Sequence, residues 1–198
     1  MGNLELERLF AQELAQFHLS QAQLHQLISH YQFLARWNHR INLTRVIEPR
    51  AACRKHYVES LLLAPHLRDA RKVLDVGSGA GFPGFPLAVA MASCEFHLAE
   101  SVIKKATFLR EASRSVANVR VRFARAEELQ EEYDCVVARG VAPQKVARLI
   151  PVLSTRALML LSRKDCGPGW QILGRGGDGQ TSVIGEFHVK HPPEGEKS

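Results

Sequence analysis

The stretch Val73-Leu-Asp-Val-Gly-Ser-Gly-Ala-Gly-Phe-Pro-Gly84 constrains this chain more than any other. A short branched apolar run that ends in glycines and passes at once into helix-forming sequence is a strand, a tight turn and a helix. Glycines at such a turn let backbone approach a ligand at the carboxyl edge of a parallel sheet. The spacing is G-x-G-x-G, whereas dinucleotide sites use G-x-G-x-x-G, and Asp75 stands two residues before Gly77. A carboxylate there repels a pyrophosphate and favours a ligand that carries an ammonium and a sulfonium. Gly77 and Gly79 are therefore the first candidate binding residues, and S-adenosylmethionine rather than NAD is the ligand implied.

The sequence after Arg71 supports a parallel sheet. Apolar runs at 73–76, 96–99, 119–123, 135–138 and 157–161 alternate with helix-like stretches at about 84–92, 103–116 and 142–152. Near-continuous apolar strands alternating with helices predict an α/β, Rossmann-like fold with helices on both faces of the sheet. From Gly167 to Gly179 six of thirteen residues are glycine, which predicts a mobile loop, and a last strand is expected at about 182–190.

Before Arg71 the pattern is helical. Leu24, Leu27, Ile28, Tyr31, Leu34, Trp37 and Ile41 recur at steps of three and four, behind a capping box at Ser20 and Gln23. Leu4 to Phe17 carries a shorter version, and Pro49 suits the first turn of a third helix running to Leu63. With 198 residues the chain suits one domain: a helical N-terminal extension, 1–70, packed with a core, 71–198.

The formal charge of +6 favours a polyanionic partner. The excess is concentrated in two stretches. Six basic residues lie between Arg36 and Tyr57 against Glu48, and seven between Ser101 and Arg125 against Glu111. The four cysteines form no C-x-x-C pair, so neither a zinc site nor a disulfide frame is expected. No apolar run approaches the roughly 18 residues of a spanning helix, and the acidic start MGNLELERLF is unlike a signal peptide, so a cytoplasmic monomer without metal is expected.

Glu100 ends the second strand, 23 residues after Gly77, where nucleoside-binding folds place a carboxylate on ribose hydroxyls. Ala126 and Glu127 follow the third strand and suit the flank of an adenine. Arg139 ends the fourth, where its planar fork suits the methionine carboxylate of the cofactor, the favoured partner, or an acceptor atom of the substrate.

The segments LDVGSGAGFPGFPLAV, HLAES-x-x-KK-x-x-FLR, RAEEL and YDCVVARG, with WNHRINLTRVIEPR and KHYVESLLLAPHL upstream, resemble the bacterial 16S ribosomal RNA guanine-N7 methyltransferase family, also called glucose-inhibited division protein B. The resemblance covers about residues 30 to 164. It implies a class I methyltransferase fold, S-adenosylmethionine, and a guanine of the small ribosomal subunit as substrate. It puts cofactor contacts on Gly77, Phe82, Ala126, Glu127 and Arg139, and Glu100 at a usual aspartate position. On the substrate side it implies Lys55, His56, Arg125, Lys164 and Lys197. Lys55 and Lys197 replace arginines of the family pattern, and an ammonium does not reproduce a bidentate guanidinium contact. The closing strand of the pattern, after EGEKS, is absent, which predicts a C-terminally truncated chain whose sheet lacks an edge.

Guanine N7 already presents a lone pair, so methylation there needs placement and desolvation rather than a base. Exocyclic-amine methylation is disfavoured by ARGVAP after the fourth strand, and cytosine-C5 chemistry by Cys135 lying inside a strand. Two rivals remain: a small-molecule methyltransferase, and a non-catalytic RNA-binding assembly factor.

Overall fold

Five of the apolar runs become parallel neighbours. In the computed structural model, which describes residues 2–166, 169–175 and 182–188, β1 (Lys72–Val76), β2 (Glu95–Ala99), β3 (Val119–Arg122), β4 (Cys135–Arg139) and β5 (Arg156–Ser162) pair in parallel. The antiparallel strands β6 (Trp170–Arg175) and β7 (Ser182–His188) complete one sheet in the order β3-β2-β1-β4-β5-β7-β6. The order reverses between β1 and β4, which opens a crevice at their carboxyl ends, the usual ligand position in such sheets.

Two expectations are corrected here. The glycine-rich segment 167–179 contains β6 and is not loop throughout, and the sheet is edged by β6 rather than by a strand after EGEKS. The physical reason is that β7 presents a row of backbone donors and acceptors, which the short apolar run from Trp170 pairs despite its glycines. Gly174 sits at a register shift in that pairing, and Gly169, with φ +85°, lies where any side chain would strike Phe187. Residues 167, 168 and 176–179 of the expected loop, and the polar tail, lie outside the described residues.

Helices cover both faces. On one side α7 (Pro143–Leu153) buries Val146, Leu149, Ile150 and Leu153 against Leu74, Val136 and Met159. On the other, α5 (Gly84–Ala90) and α6 (Ile103–Ala112) share a core with the N-terminal α1 (Asn3–Glu13) and α2 (Gln21–Ile41), where Phe10, Tyr31 and Tyr57 meet Phe85 and Phe108. The expected capping box is present: Gln23 N donates to Ser20 Oγ at 3.3 Å and Ser20 N to Gln23 Oε1 at 2.8 Å.

The third helix expected from Pro49 is broken into α3 (Pro49–Ala52), a π-helical turn Cys53–Val58 and α4 (Glu59–Leu61). Glu48 caps it through Arg50 N and Ala51 N, at 3.1 and 2.7 Å. The wider turn lets the consecutive residues 56 to 61 all be buried, which a uniform α-helix cannot do on one face. It thereby brings His56 and Glu59 beside the end of β4.

Candidate active site at the carboxyl edge of the sheet

The glycine turn is tied to β2. Gly77 N and Ser78 N both donate to Ala99 O, at 3.0 and 3.1 Å. Gly77, Gly79 and Gly81 have φ of +68°, +58° and +93°, which favours glycine at each. A Cβ on Gly79 would meet only Gly77 O, at 3.8 Å, and one on Gly140, after β4, would meet nothing within 4 Å. Two turns at the crevice thus back onto open space. Gly84 is different: a Cβ there would collide with Leu98 and Asp75, so the Phe-Pro-Gly extension is fixed by packing.

Glu100 is buried and braces this turn. Its Oε2 accepts from Gly79 N at 3.0 Å and its Oε1 from Val102 N at 2.8 Å. Each oxygen keeps a second lone pair, so the carboxylate has capacity left for ribose hydroxyls. Along the same edge Ala126, buried, begins the 3₁₀ turn Ala126–Glu128 after β3, with Glu127 exposed.

Asp75 lies beneath the turn and is closed to solvent. Its Oδ2 accepts from Gly84 N at 3.0 Å, while Oδ1 meets no partner among the described residues. Burial pushes its pKa up to about 7, against the Gly84 N–H. It caps α5 from below, a role that its spacing from Gly77 did not reveal.

Arg139 is held by the helical arm. Its Nη1 donates to Lys55 O at 2.6 Å, its Nη2 meets His56 Nδ1 at 3.0 Å, and Nη1 lies 3.8 Å from Glu59 Oε2. The guanidinium stands 5.1 Å from the centre of the Phe82 ring, which stacks on His56 at 4.7 Å. Burial lowers the Arg139 pKa, with Glu59 and then Asp75 opposing. Since a guanidinium only donates, His56 Nδ1 is the acceptor, and the ring proton sits on Nε2, facing Val46 O at 3.0 Å and Thr44 Oγ1 at 2.9 Å. Burial, then Arg139, pushes the His56 pKa down to about 3. Both ring nitrogens are engaged within the protein.

Thr44 explains the Trp-Asn and Asn-Leu-Thr segments. Asn38 Nδ2 donates to Thr44 O at 3.0 Å and Thr44 N to Asn38 Oδ1 at 2.8 Å, closing the loop after α2. Glu59, buried, accepts from Lys55 Nζ at 2.9 Å and Ser182 Oγ at 3.2 Å. Sequence reasoning passed over Glu59 because it lies in an apolar-rich stretch; its spacing of four from Lys55 was the available signal.

Two adjoining cavities open at the ends of β4 and β5, of about 440 and 530 Å³, sharing Gly140, Leu160, Leu161 and Ser162. Lys55, His56, Glu59 and Arg139 line the first, and Lys164, which is exposed, lines the second. Arg125 is exposed after β3, and Lys197 lies outside the described residues. The basic stretches are partly neutralised: Glu13 pairs with Arg50 and Arg54, Glu111 with Arg114, and Glu131 with Arg122. Cys135 is buried, its thiol pushed up to about 12 by burial, which disqualifies it as a nucleophile. Among the described residues no helix is long and apolar enough to cross a membrane, and no group of three His, Cys, Asp or Glu side chains is placed to hold a metal.

The model of the rRNA small subunit methyltransferase G family matches residues 23–163. The ribosomal RNA small subunit methyltransferase G of Dichelobacter nodosus (strain VCS1703A) is 40% identical over 130 residues, 64% of this chain and 62% of that protein. The protein of the same name from Desulfitobacterium hafniense (strain Y51) is 32% identical over 192 residues, 93% and 73%. The chain spans about three fifths of the length of the first curated relatives it matches, 62% and 59%. Among solved structures, magnesium protoporphyrin IX methyltransferase (ChlM) from Synechocystis PCC 6803, with bound SAM, aligns with a TM-score of 0.55 at 15% identity, covering 81% of this chain and 97% of that one. That likeness shows the fold, a class I methyltransferase sheet with N-terminal helices added.

Proposed function

Because the chain belongs to the rRNA small subunit methyltransferase G family, we propose that it transfers a methyl group from S-adenosylmethionine to N7 of a guanine in 16S ribosomal RNA of the small subunit. It does so as a cytoplasmic monomer, with the arm, 1–70, and the core, 71–198, working as one unit. The observation that carries this reading is the crevice between β1 and β4: two glycine turns back onto open space beside a cavity walled by Arg139.

The residues present fit S-adenosylmethionine, which supplies an electrophilic methyl on a sulfonium. Gly77 and Gly79 admit it close to backbone, Glu100 has lone pairs for its ribose, and Ala126 and Glu127 flank its adenine. Arg139 offers a fork to its methionine carboxylate, with Phe82 and His56 packed against the guanidinium. No residue has to remove a proton, because N7 attacks with its own lone pair. His56 and His30 suit that requirement: both are buried, with pKa pushed down to about 3, and do not shuttle protons near neutrality. Arg45, Lys55, Arg125 and Lys164, all exposed around the site, suit phosphates.

Calorimetric titration with S-adenosylmethionine and filter binding of 16S RNA test this reading against its rivals. One cofactor per chain is expected, together with RNA affinity that falls with salt at a log–log slope of about −0.7 per phosphate contact. Absence of cofactor binding favours the assembly factor, and absence of salt-dependent RNA binding favours the small-molecule enzyme.

A further inference from the structure

The geometry points to Glu59 as the residue that selects guanine: we propose that its carboxylate accepts hydrogen bonds from N1–H and the N2 amino group of the target base. The proposal rests on the guanine-methylating reading above and adds the specificity determinant.

Glu59 is 1% exposed, and a carboxylate so placed needs several donors. Among the described residues two donors reach it, Lys55 Nζ and Ser182 Oγ, and both approach Oε1. Arg139 Nη1 lies 3.8 Å from Oε2, beyond hydrogen-bond distance. Glu59 lines the 440 Å³ cavity, whose size lies within the roughly 300 to 1,000 Å³ of small-ligand sites. Leu160 and Leu161 give that cavity apolar wall, and Gly140 gives it bare backbone.

A carboxylate only accepts, so it selects an edge that presents adjacent donors. Guanine alone among the four RNA bases offers two, N1–H beside the N2 amino group. Adenine and cytosine present a donor beside an acceptor, and uracil a single donor between acceptors. A base taken out of its stack is commonly read on this edge. N7 lies across the purine from it, so an anchor at N1 and N2 leaves N7 turned away from Glu59 and free to be methylated.

The same contact favours the reaction. As the N7–methyl bond forms and the methyl–sulfur bond breaks, the positive charge passes from sulfur to the purine. N1–H becomes more acidic, and its bond to a carboxylate strengthens. An interaction that strengthens toward the transition state raises the rate and not merely the affinity.

Inosine, which lacks the N2 amino group but keeps N7, tests this. Two small-subunit RNA transcripts, one made with guanosine and one with inosine triphosphate, are methylated by the wild type and by Glu59→Gln under single-turnover conditions. Both enzymes meet the same two RNAs, so differences in RNA folding cancel from the ratio of their preferences. Wild type is expected to prefer the guanosine RNA by at least about 10-fold, the value of one hydrogen bond to a charged group, and Glu59→Gln to lose most of that preference. An equal preference in the two enzymes overturns the proposal and leaves Glu59 as a counter-ion of Lys55 and Arg139. Should Glu59→Gln fail to fold, the wild type still decides against it if it methylates both RNAs equally. A wild type that binds cofactor yet methylates neither RNA overturns the function itself, a result distinct from loss of the Glu59 role alone.

Discussion

Arg139 takes its position from residues more than eighty places earlier in the chain, the Lys55 carbonyl and the His56 ring. Arg139→Lys keeps the charge but loses the fork. If the guanidinium holds the methionine carboxylate, cofactor affinity and transfer rate both fall in Arg139→Lys and Arg139→Ala; wild-type values of both in the alanine variant would remove Arg139 from the site. His56 acts through Arg139, and conservative replacement separates that from packing. Asn presents an oxygen near the Nδ1 position, so His56→Asn should keep more affinity than His56→Leu, which should lose about tenfold. 5′-Methylthioadenosine has no carboxylate, and its affinity should be the same in all three proteins. An equal loss for both ligands would contradict the positioning role and indicate plain structural damage. At this scale the glycine turn, Glu100 and Arg139 were legible in the sequence, because a strand end followed by a polar or glycine residue is a local pattern. Glu59 and the capping role of Asp75 were not, because each depends on which elements meet in space.

The elements that meet are the arm and the parallel sheet, and the seam between them titrates. His30, in α2, hydrogen-bonds Tyr57 at 2.7 Å and stacks on Phe85 at 4.1 Å. His30 and His56 are both held neutral by burial, with pKa pushed from 6.5 to about 3, so the stability they lend is complete above pH 6.5 and is lost as pH falls toward 3. Asp75 acts oppositely. Raised from 3.8 to about 7, it favours the fold below pH 3.8 and loses that contribution as pH rises through 7. Between pH 6.5 and 4, unfolding takes up two protons at the histidines and releases one from Asp75. Stability should therefore fall by roughly 1 kcal/mol per pH unit on acidification. Burial and Arg122 also hold the His97 pKa down, which adds in the same direction. Urea midpoints at pH 6.5, 5.5 and 4.5 measure this, and a midpoint that rises toward acid would contradict it. The helices of the seam were readable from apolar period and caps, but the π-helical turn was not, since nothing in residues 49–63 marks where a helix widens to suit its neighbours. β6 was missed for a related reason: its pairing comes from the unsatisfied edge of β7 rather than from its own glycine-rich sequence.

For the whole molecule, one side of the carboxyl edge suits a nucleoside and the other a base. The turn after β1, Glu100 and the segment after β3 form the first; the arm and the ends of β4 and β5 form the second, with Arg139 between them. The arm brings Thr44, His56 and Glu59 to the sheet, where they line the candidate site with Arg139. Transfer to guanine N7 is read from the methylated product itself. The protein is incubated with tritium-labelled S-adenosylmethionine and small-subunit RNA from cells that lack the enzyme, and the RNA is digested to nucleosides. Label is expected in 7-methylguanosine alone, approaching one methyl per RNA. Label in another methylated nucleoside, or in no nucleoside while the cofactor is bound, would contradict it.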